Sequence, residues 1–132
     1  MSAIAQAKTD GRNAGSYKDL VVWQNGIRLV KQIYQITGDF PASEKYGLTS
    51  QMQRAAVSIP SNVAEGQAHH TTKEFILSIS HAEGSAGEME TQLIIAMELG
   101  YCDSATVQPV LNAVDEMRKM LHALHNKLLT HH

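Results

Sequence analysis

Residues 71–100, TTKEFILSISHAEGSAGEMETQLIIAMELG, are the stretch that decides the fold. The stretch opens with a capping box, in which the Thr71 side chain caps the helix start and Glu74 follows three residues later. Apolar or small residues then recur at strict three-to-four spacing: Phe75, Ile79, Ala82, Ala86, Met89, Leu93, Ala96 and Gly100. This spacing predicts an amphipathic helix of roughly thirty residues, about 40 Å long at a rise of about 1.5 Å per residue.

Two glycines, Gly84 and Gly87, lie in the interior of this predicted helix. Glycine in a helix interior costs roughly 1 kcal/mol relative to alanine. Close approach by another helix is the natural reason to accept that cost. We therefore expect a neighbouring helix to pack tightly against the middle of this one.

The residues before Gly38 predict a further helix, from about residue 19 to residue 37, with Asp19 as its N-cap. This first helix carries two apolar stripes, each at helical spacing. The Trp23 stripe consists of Leu20, Trp23, Ile27, Val30 and Tyr34, and the Leu29 stripe consists of Val22, Leu29, Ile33 and Ile36. One stripe can enter the core of a bundle, and the other needs a different partner.

Two more amphipathic segments complete the set of helices. The second helix is expected from about residue 43 or 45 to residue 65, with Gly66 as its end. Because Pro60 removes a backbone donor, we expect a kink or a break at residues 58–59. The fourth helix is expected from about residue 103 to residue 129, with Pro109 in its first turns. The buried stripes are Leu48, Met52, Ala55, Ile59 and Val63 in the second helix, and Val107, Val110, Val114, Met117, Leu121, Leu124 and Leu128 in the fourth.

Four amphipathic segments with short links and no strand-like alternation predict an all-α protein, an antiparallel up-down-up-down four-helix bundle. Short links force neighbouring helices to run in opposite directions. A length of 132 residues fits one domain. We assign residues 17–130 to the bundle. Residues 1–16 are small and polar and have no period, so we assign them to a flexible N-terminal arm.

Composition and charge limit the classes of function. The net charge is −2 and aromatic residues make up 5% of the chain, which argues against a surface devoted to nucleic acid. Cys102 is the only cysteine, so no internal disulfide forms and a reducing cytoplasm suits the chain. No apolar run approaches the roughly 18 residues of a membrane span, so we expect a cytoplasmic protein without a membrane partner.

Polar residues of the second and third helices form one candidate site: Arg54, Asn62, Glu65, Glu88 and Glu90. They could bind a ligand between the helices, or they could form a structural network with Arg54 bridging carboxylates and Asn62 bonding backbone freed by Pro60. We favour the structural interpretation because buried charges need partners. No nucleophile stands beside a base, and His122 with His125 lacks a third ligand, so we expect no enzyme, no cofactor and no metal.

A second candidate site consists of basic residues on the first and fourth helices: Lys18, Arg28, Lys31, Arg118, Lys119 and Lys127. If these helices adjoin, the two sets could form a strip that binds the phosphates of RNA. The alternative is a solvated charged face, which is the more common reason for such a pattern.

Three segments carry a resemblance to a known family. They are YKDLVVWQ at residues 17–24, YGLTSQ at 46–51 followed by RAAVSIPSNVAEG at 54–66, and GSAGEMETQL at 84–93. Over residues 17–101, and more loosely through the last helix, the chain resembles the four-helix-bundle proteins encoded within intervening sequences of bacterial 23S ribosomal RNA genes. The resemblance implies a compact four-helix protomer, a homopentameric barrel and no known enzymatic activity.

A related group, the accessory variability determinants of diversity-generating retroelements, implies binding of nucleic acid and a reverse transcriptase through a basic surface. This chain departs from that group, because its net charge is slightly negative and its terminal helices are not rich in lysine or arginine.

The Leu29 stripe supplies the functional hypothesis. It could pack against two helices of its own protomer, or against another subunit, and the resemblance favours the second possibility. We therefore expect a non-enzymatic, homo-oligomeric, most simply pentameric, assembly module whose further partner is RNA or an RNA-associated protein. The alternatives are a scaffold with no nucleic-acid role and, third, a cryptic metal-dependent or hydrolytic enzyme.

Overall fold

The computed structural model describes residues 17–130, and this part of the chain contains only helices and turns. The helices are α1 (Val21–Thr37), α2 (Leu48–Ala68), α3 (Thr72–Glu98) and α4 (Ser104–Thr130). Short 3-10 helices at Tyr17–Asp19 and Ala42–Glu44 precede α1 and α2. The all-α, four-helix prediction is confirmed. The predicted arm at residues 1–16 lies outside the described residues.

The start of α3 forms as its sequence predicts. The Thr71 hydroxyl oxygen accepts the backbone N–H of Glu74 at 3.1 Å, and the Thr71 hydroxyl donates to the Glu74 carboxylate at 2.8 Å. This contact with the hydroxyl, together with the charge of the histidines that precede Thr71, lowers the pKa of Glu74. A carboxylate in the first turn is also favoured by the helix dipole.

The four helices enclose one apolar core, and α2 contacts α1 and α3 while α4 contacts α3 and α1. Core side chains come from all four helices at three-to-four spacing. The largest fully buried side chains are Leu29, Ile33, Met52, Ile59, Val63, Ile79, Met89, Leu93, Val107, Val114, Met117 and Leu121. No helix in residues 17–130 is long and apolar enough to cross a membrane.

Pro60 does not end or interrupt α2, which continues through it to Ala68. Of the two alternatives predicted at residues 58–59, a kink or a break, the break is therefore wrong. The proline ring is buried against α1 at Gly26, where a Cβ atom would lie only 3.2 Å from the ring. Because Gly26 has no side chain, α1 can approach closely, and the buried contact compensates for the backbone hydrogen bond that proline cannot make.

The rotation of α1 about its axis is the main departure from the sequence-based expectation. The Leu29 stripe faces the protomer core, where Val22, Leu29, Ile33 and Ile36 are all buried. The prediction that these four residues form the oligomer interface is therefore wrong. The close contact of Gly26 with Pro60 turns the Leu29 side inward and leaves most of the Trp23 stripe at the surface.

The helix ends differ slightly from the prediction. Leu20, rather than Asp19, occupies the N-cap position of α1, and its side chain is buried in the core. In α4 the prediction of an early start is confirmed, since Asp103 accepts the backbone N–H of Thr106 at 2.8 Å and the helix begins before Pro109. Hydrogen bonds from the Thr106 hydroxyl and from the Thr106 backbone N–H lower the pKa of Asp103.

Candidate assembly surface and basic groove

An apolar surface runs along the outside of α1 and α2. We call it the α1/α2 face and define it by Trp23, Ile27, Val30, Tyr34 and Val57. Ile27 is 37% exposed, Tyr34 is 48% exposed and Val57 is 41% exposed, while Trp23 and Val30 are half-buried. Such a concentration of apolar side chains on one side of a helix pair is typical of an interaction surface.

A shallow cleft of about 370 Å³ lies between α1 and α2 on this face. Tyr34 and Val57 form its apolar part, and Arg54 lies at its edge. Ser50, Gln53 and Ser58 complete the lining. The cleft therefore offers apolar walls with a cation at the rim.

A second groove, of about 460 Å³, separates α1 from α4. Arg28 and Lys31 line it together with Glu116. The remaining lining residues are Asn25, Gln32, Gln35, Ala113, Met117 and Met120. The Arg28 guanidinium donates to the side-chain oxygen of Asn25, and neither Arg28 nor Lys31 forms an ion pair with a carboxylate of residues 17–130. Two cations thus stand in a groove rich in amides.

The basic residues of α4 occupy a different side of the protein. Arg118 forms an ion pair with Glu90 of α3 at 2.7 Å, and Lys119 forms one with Asp115 at 3.3 Å. Lys127 is exposed in the last turn of α4, and Lys18 is exposed in the turn before α1. Helices α1 and α4 do adjoin, but α4 directs Arg118 towards α3, so the six basic residues do not form one strip. Their contact with nucleic acid stays a prediction.

The predicted polar network is also divided. Arg54 is exposed and forms no ion pair with a carboxylate in the described part of the chain, so it bridges nothing there. The Asn62 side chain donates to the carbonyl of Ser58 at 2.8 Å, one turn earlier in α2. The carbonyl that Pro60 leaves without its usual donor is that of Ala56, four residues before it. The Asn62 side chain therefore hydrogen-bonds to the carbonyl of Ser58 in the proline-containing turn, and not to the carbonyl that Pro60 leaves without a donor.

The three carboxylates of the predicted network make separate contacts. Glu65 lies 3.7 Å from His69 in the next turn, and Glu88 accepts the side-chain amide of Gln92 at 3.4 Å. Glu90 is occupied by Arg118 on α4. The network prediction is wrong because helical spacing places these carboxylates on different sides of α2 and α3.

Two contacts between helices were not anticipated from the sequence. Glu83 of α3 lies 2.7 Å from the Nδ1 atom of His125 and 3.7 Å from that of His122. Across residues 17–130 no three histidine, cysteine, aspartate or glutamate side chains are grouped as a metal site requires. In the sequence, only the three-residue spacing of His122 and His125 indicated a shared contact, because their partner Glu83 lies about 40 residues earlier.

The second such contact joins the link between α1 and α2 to the link between α3 and α4. Glu44 accepts the backbone N–H of Leu48 at 2.9 Å and the Tyr101 hydroxyl at 2.8 Å. These hydrogen bonds lower the pKa of Glu44, and the acceptance by Glu44 raises the pKa of Tyr101. Glu44 therefore caps α2 and ties it to the α3–α4 link.

The outer surface of α3 has no partner in the protomer at its glycines. A Cβ atom added at Gly84 or at Gly87 would meet no heavy atom within 4 Å. The close approach of another helix that we expected at these glycines is therefore not made within the protomer. We define the α3 outer face by Leu77, Gly84, Glu88, Thr91 and Ile95, which share one side of the helix and are all exposed.

Sequence comparison places these features in a known family. The family described as 23S rRNA-intervening sequence protein matches residues 18–123. The chain belongs to the 23S rRNA-intervening sequence protein family. A search of curated proteins finds no match to the chain.

A solved structure supports the fold of this 23S rRNA-intervening sequence protein. It is similar, with a TM-score of 0.72, to the crystal structure of a protein of unknown function from the S23 ribosomal protein family of Bacteroides thetaiotaomicron. The two sequences are 20% identical, and the match covers 80% of this chain and 98% of the other. At this identity the likeness extends to the fold, and the site residues have to be argued from the molecule itself.

Proposed function

We propose that this protein is a non-enzymatic, homo-oligomeric assembly module of the cytoplasm. The observation that carries the proposal is the half-exposed apolar α1/α2 face. A lone protomer leaves Ile27, Tyr34 and Val57 in contact with water, and a second copy of the chain would cover them. Burial of apolar surface is the dominant favourable term in protein association. The side chains offered here are large, and one of them is aromatic, which suits the centre of an interface.

We infer that the four helices follow an antiparallel, up-down-up-down course. Two contacts support this course between α1 and α2: Gly26 lies against Pro60, and Thr37 accepts the side-chain amide of Gln53 at 3.2 Å. From the first contact to the second, the residue number rises in α1 from 26 to 37 and falls in α2 from 60 to 53, as helices that run in opposite directions require. Between α3 and α4 the contacts of Glu83 with His125 and of Glu90 with Arg118 follow the same rule.

The mechanism that we propose is presentation of a repeated surface. Assembly in a closed ring, a pentameric barrel by resemblance to the family, would display one weak binding surface several times. Several weak contacts on one particle bind a multivalent partner with far greater affinity than one contact does. No catalytic step is required for such a role.

We propose RNA as the partner, bound along the α1/α4 groove. The support is chemical, since Arg28 and Lys31 are cations without carboxylate partners in residues 17–130 and the neighbouring amides can donate to phosphate or sugar oxygens. A net charge of −2 is compatible with this role, because the groove holds two cations against one carboxylate, Glu116.

The assembly proposal is tested by the particle mass in solution. Light scattering should give a mass well above the 14.5 kDa of one chain. Tyr34→Glu places a charge in the middle of the α1/α2 face and should lower that mass to one protomer. Tyr46→Glu is the matched control, because it makes the same change at an exposed tyrosine outside the face and should leave the mass unchanged. A well-behaved wild-type particle of one chain would end the proposal.

The RNA proposal is tested separately by the salt dependence of binding. If Arg28 contacts a phosphate, Arg28→Gln should weaken RNA binding and reduce the slope of log K against log salt by about 0.7 to 0.9. Arg118→Gln is the control, since Arg118 is already paired with Glu90. An oligomer that binds no RNA at low salt would favour the alternative function, a protein scaffold without a nucleic-acid role.

A further inference from the structure

The α3 outer face is the second large surface of the protomer that no element of residues 17–130 covers. It exposes Leu77 at 58% and Ile95 at 42%, with Gly84 and Thr91 between them. Gly84 has no side chain and Thr91 has a small one, with the carboxylate of Glu88 between them, so the backbone of α3 is accessible at Gly84. A helix surface of this kind allows another element to approach unusually closely.

The glycines of the chain fall into two groups. A Cβ atom at Gly26 or Gly66 would lie within 3.2 Å of another helix or its side chains, so close packing inside the protomer explains both. Gly84 and Gly87 weaken α3 and receive no such contact within the protomer. Close packing by an element from outside the protomer would explain Gly84 and Gly87 in the same way that close packing inside the protomer explains Gly26 and Gly66.

The two uncovered faces carry opposite charge. Arg54 stands at the rim of the α1/α2 face. The α3 outer face carries Glu88 and, at its C-terminal end, Glu98, against Lys73 at its N-terminal end.

This arrangement decides between the possible pairings. Two copies of the α1/α2 face would bring their Arg54 cations together, and two copies of the α3 outer face would bring their Glu88 carboxylates together near the middle of the helix. Pairing one face with the other brings opposite charges together and covers the apolar residues of both. Like-charge contacts act against the wrong pairing as effectively as opposite charges favour the right one.

We propose that the α3 outer face of one protomer docks onto the α1/α2 face of a second copy of this chain. The inference rests on the proposed self-association and specifies its geometry. Because two different surfaces meet, each protomer keeps one free face of each kind after pairing. Such head-to-tail contacts close into a ring when the rotation per step allows it.

The test uses two variants that each damage one face. Tyr34→Glu damages the α1/α2 face, and Gly84→Trp fills the centre of the α3 outer face. Each variant alone should have the mass of one protomer, 14.5 kDa. An equimolar mixture should form dimers of about 29 kDa, because the intact α3 face of one variant meets the intact α1/α2 face of the other. A mixture that stays monomeric would overturn the head-to-tail pairing.

Controls separate this inference from the proposed function. Ala123→Trp makes a similar bulky change on the outside of α4 and should leave the wild-type mass unchanged, and far-ultraviolet circular dichroism establishes that each variant is folded. An oligomeric wild type whose mass is unchanged by Gly84→Trp overturns the inference alone. A monomeric wild type overturns the proposed function and the inference together.

A charge-reversal pair gives a second, independent measurement. Arg54→Glu and Glu88→Arg should each weaken association, by about fivefold, and more at low salt than at high salt. The double variant should recover the wild-type association constant, because opposite charges face one another again. Two single variants that associate like the wild type would contradict the pairing of these faces.

Discussion

The free energy of unfolding of a series of glycine-to-alanine variants distinguishes helix positions that are packed against a neighbour from positions that are open. The four helical positions are Gly26, Gly66, Gly84 and Gly87. At Gly84 and Gly87 the added methyl group meets nothing within 4 Å, so only helix propensity changes. At Gly66 the same atom would lie 2.7 Å from the Phe75 ring and 3.1 Å from the Cβ atom of Ser78, so the neighbours must move.

These distances set the expected free energies of unfolding. Gly84→Ala and Gly87→Ala should each stabilise the protomer by about 1 kcal/mol, which raises Tm by about 3 to 5 °C for a chain of this size. Gly66→Ala should destabilise it by about 1 to 2 kcal/mol, because overpacking outweighs the gain in propensity near the helix end. Gly26→Ala should also destabilise it, by about 1 kcal/mol, because the new Cβ atom would lie 3.2 Å from the rigid, buried Pro60 ring and α1 would have to move away from α2.

The assay is urea unfolding followed by circular dichroism at several protein concentrations. Dilution separates the stability of the protomer from the concentration-dependent contribution of self-association. In dilute solution Gly84→Ala should raise the urea midpoint by about 0.5 M. In concentrated solution the same variant should form less oligomer than the wild type. The reasoning is refuted if Gly84→Ala destabilises the dilute protomer, or if Gly66→Ala is as stable as the wild type.

Three further predictions concern the core and the links. Leu29→Ala should cost about 2 to 5 kcal/mol and Tyr34→Ala less than about 1 kcal/mol, and equal losses in urea unfolding would contradict the orientation of α1. Gln92 is 4% exposed, and its Oε1 atom accepts no hydrogen bond from residues 17–130. Because this buried acceptor has no partner, Gln92→Met should stabilise the protein by about 1 kcal/mol. A urea midpoint below that of the wild type would contradict this. The pKa of Glu44 lies below its ordinary value of 4.5, so its hydrogen bond from the Leu48 backbone stabilises the fold above that pH and is lost as the pH falls through the lowered value. Glu44→Gln should therefore lose stability less steeply on acidification, and a slope as steep as that of the wild type would count against the contact.

The elements of the fold were predictable because they depend on local chemistry. The three-to-four spacing of apolar residues and the Thr71 cap specify α3 whatever surrounds it. Pro60 shows the limit of such rules. A proline inside an apolar pattern ordinarily breaks a helix, yet here α1 approaches at Gly26 and the ring is buried. The compensating residue lies 34 positions away in the sequence, which is outside the reach of any local rule.

The candidate site was only partly predictable for the same reason. The sequence indicated that α1 carries more apolar surface than one core can use. It could not indicate which stripe faces inward, because the Trp23 stripe and the Leu29 stripe have similar spacing and similar hydrophobicity. Contacts with α2 and α4 decide the rotation of α1, and they also direct Arg118 to Glu90 rather than to the side of Arg28.

By itself, the sequence determined four amphipathic helices, their approximate bounds, the cap at Thr71 and the membership of a family whose motifs it carries. Only the tertiary structure decided that the Leu29 stripe is core, that Ile27 and Tyr34 of the Trp23 stripe are exposed, that Gly84 and Gly87 meet no other helix, and that Glu83 meets two histidines. The physical reason is that hydrogen bonds and propensity act between near neighbours along a helix. The choice of the buried side depends instead on the combined packing of all four helices, which no single segment encodes.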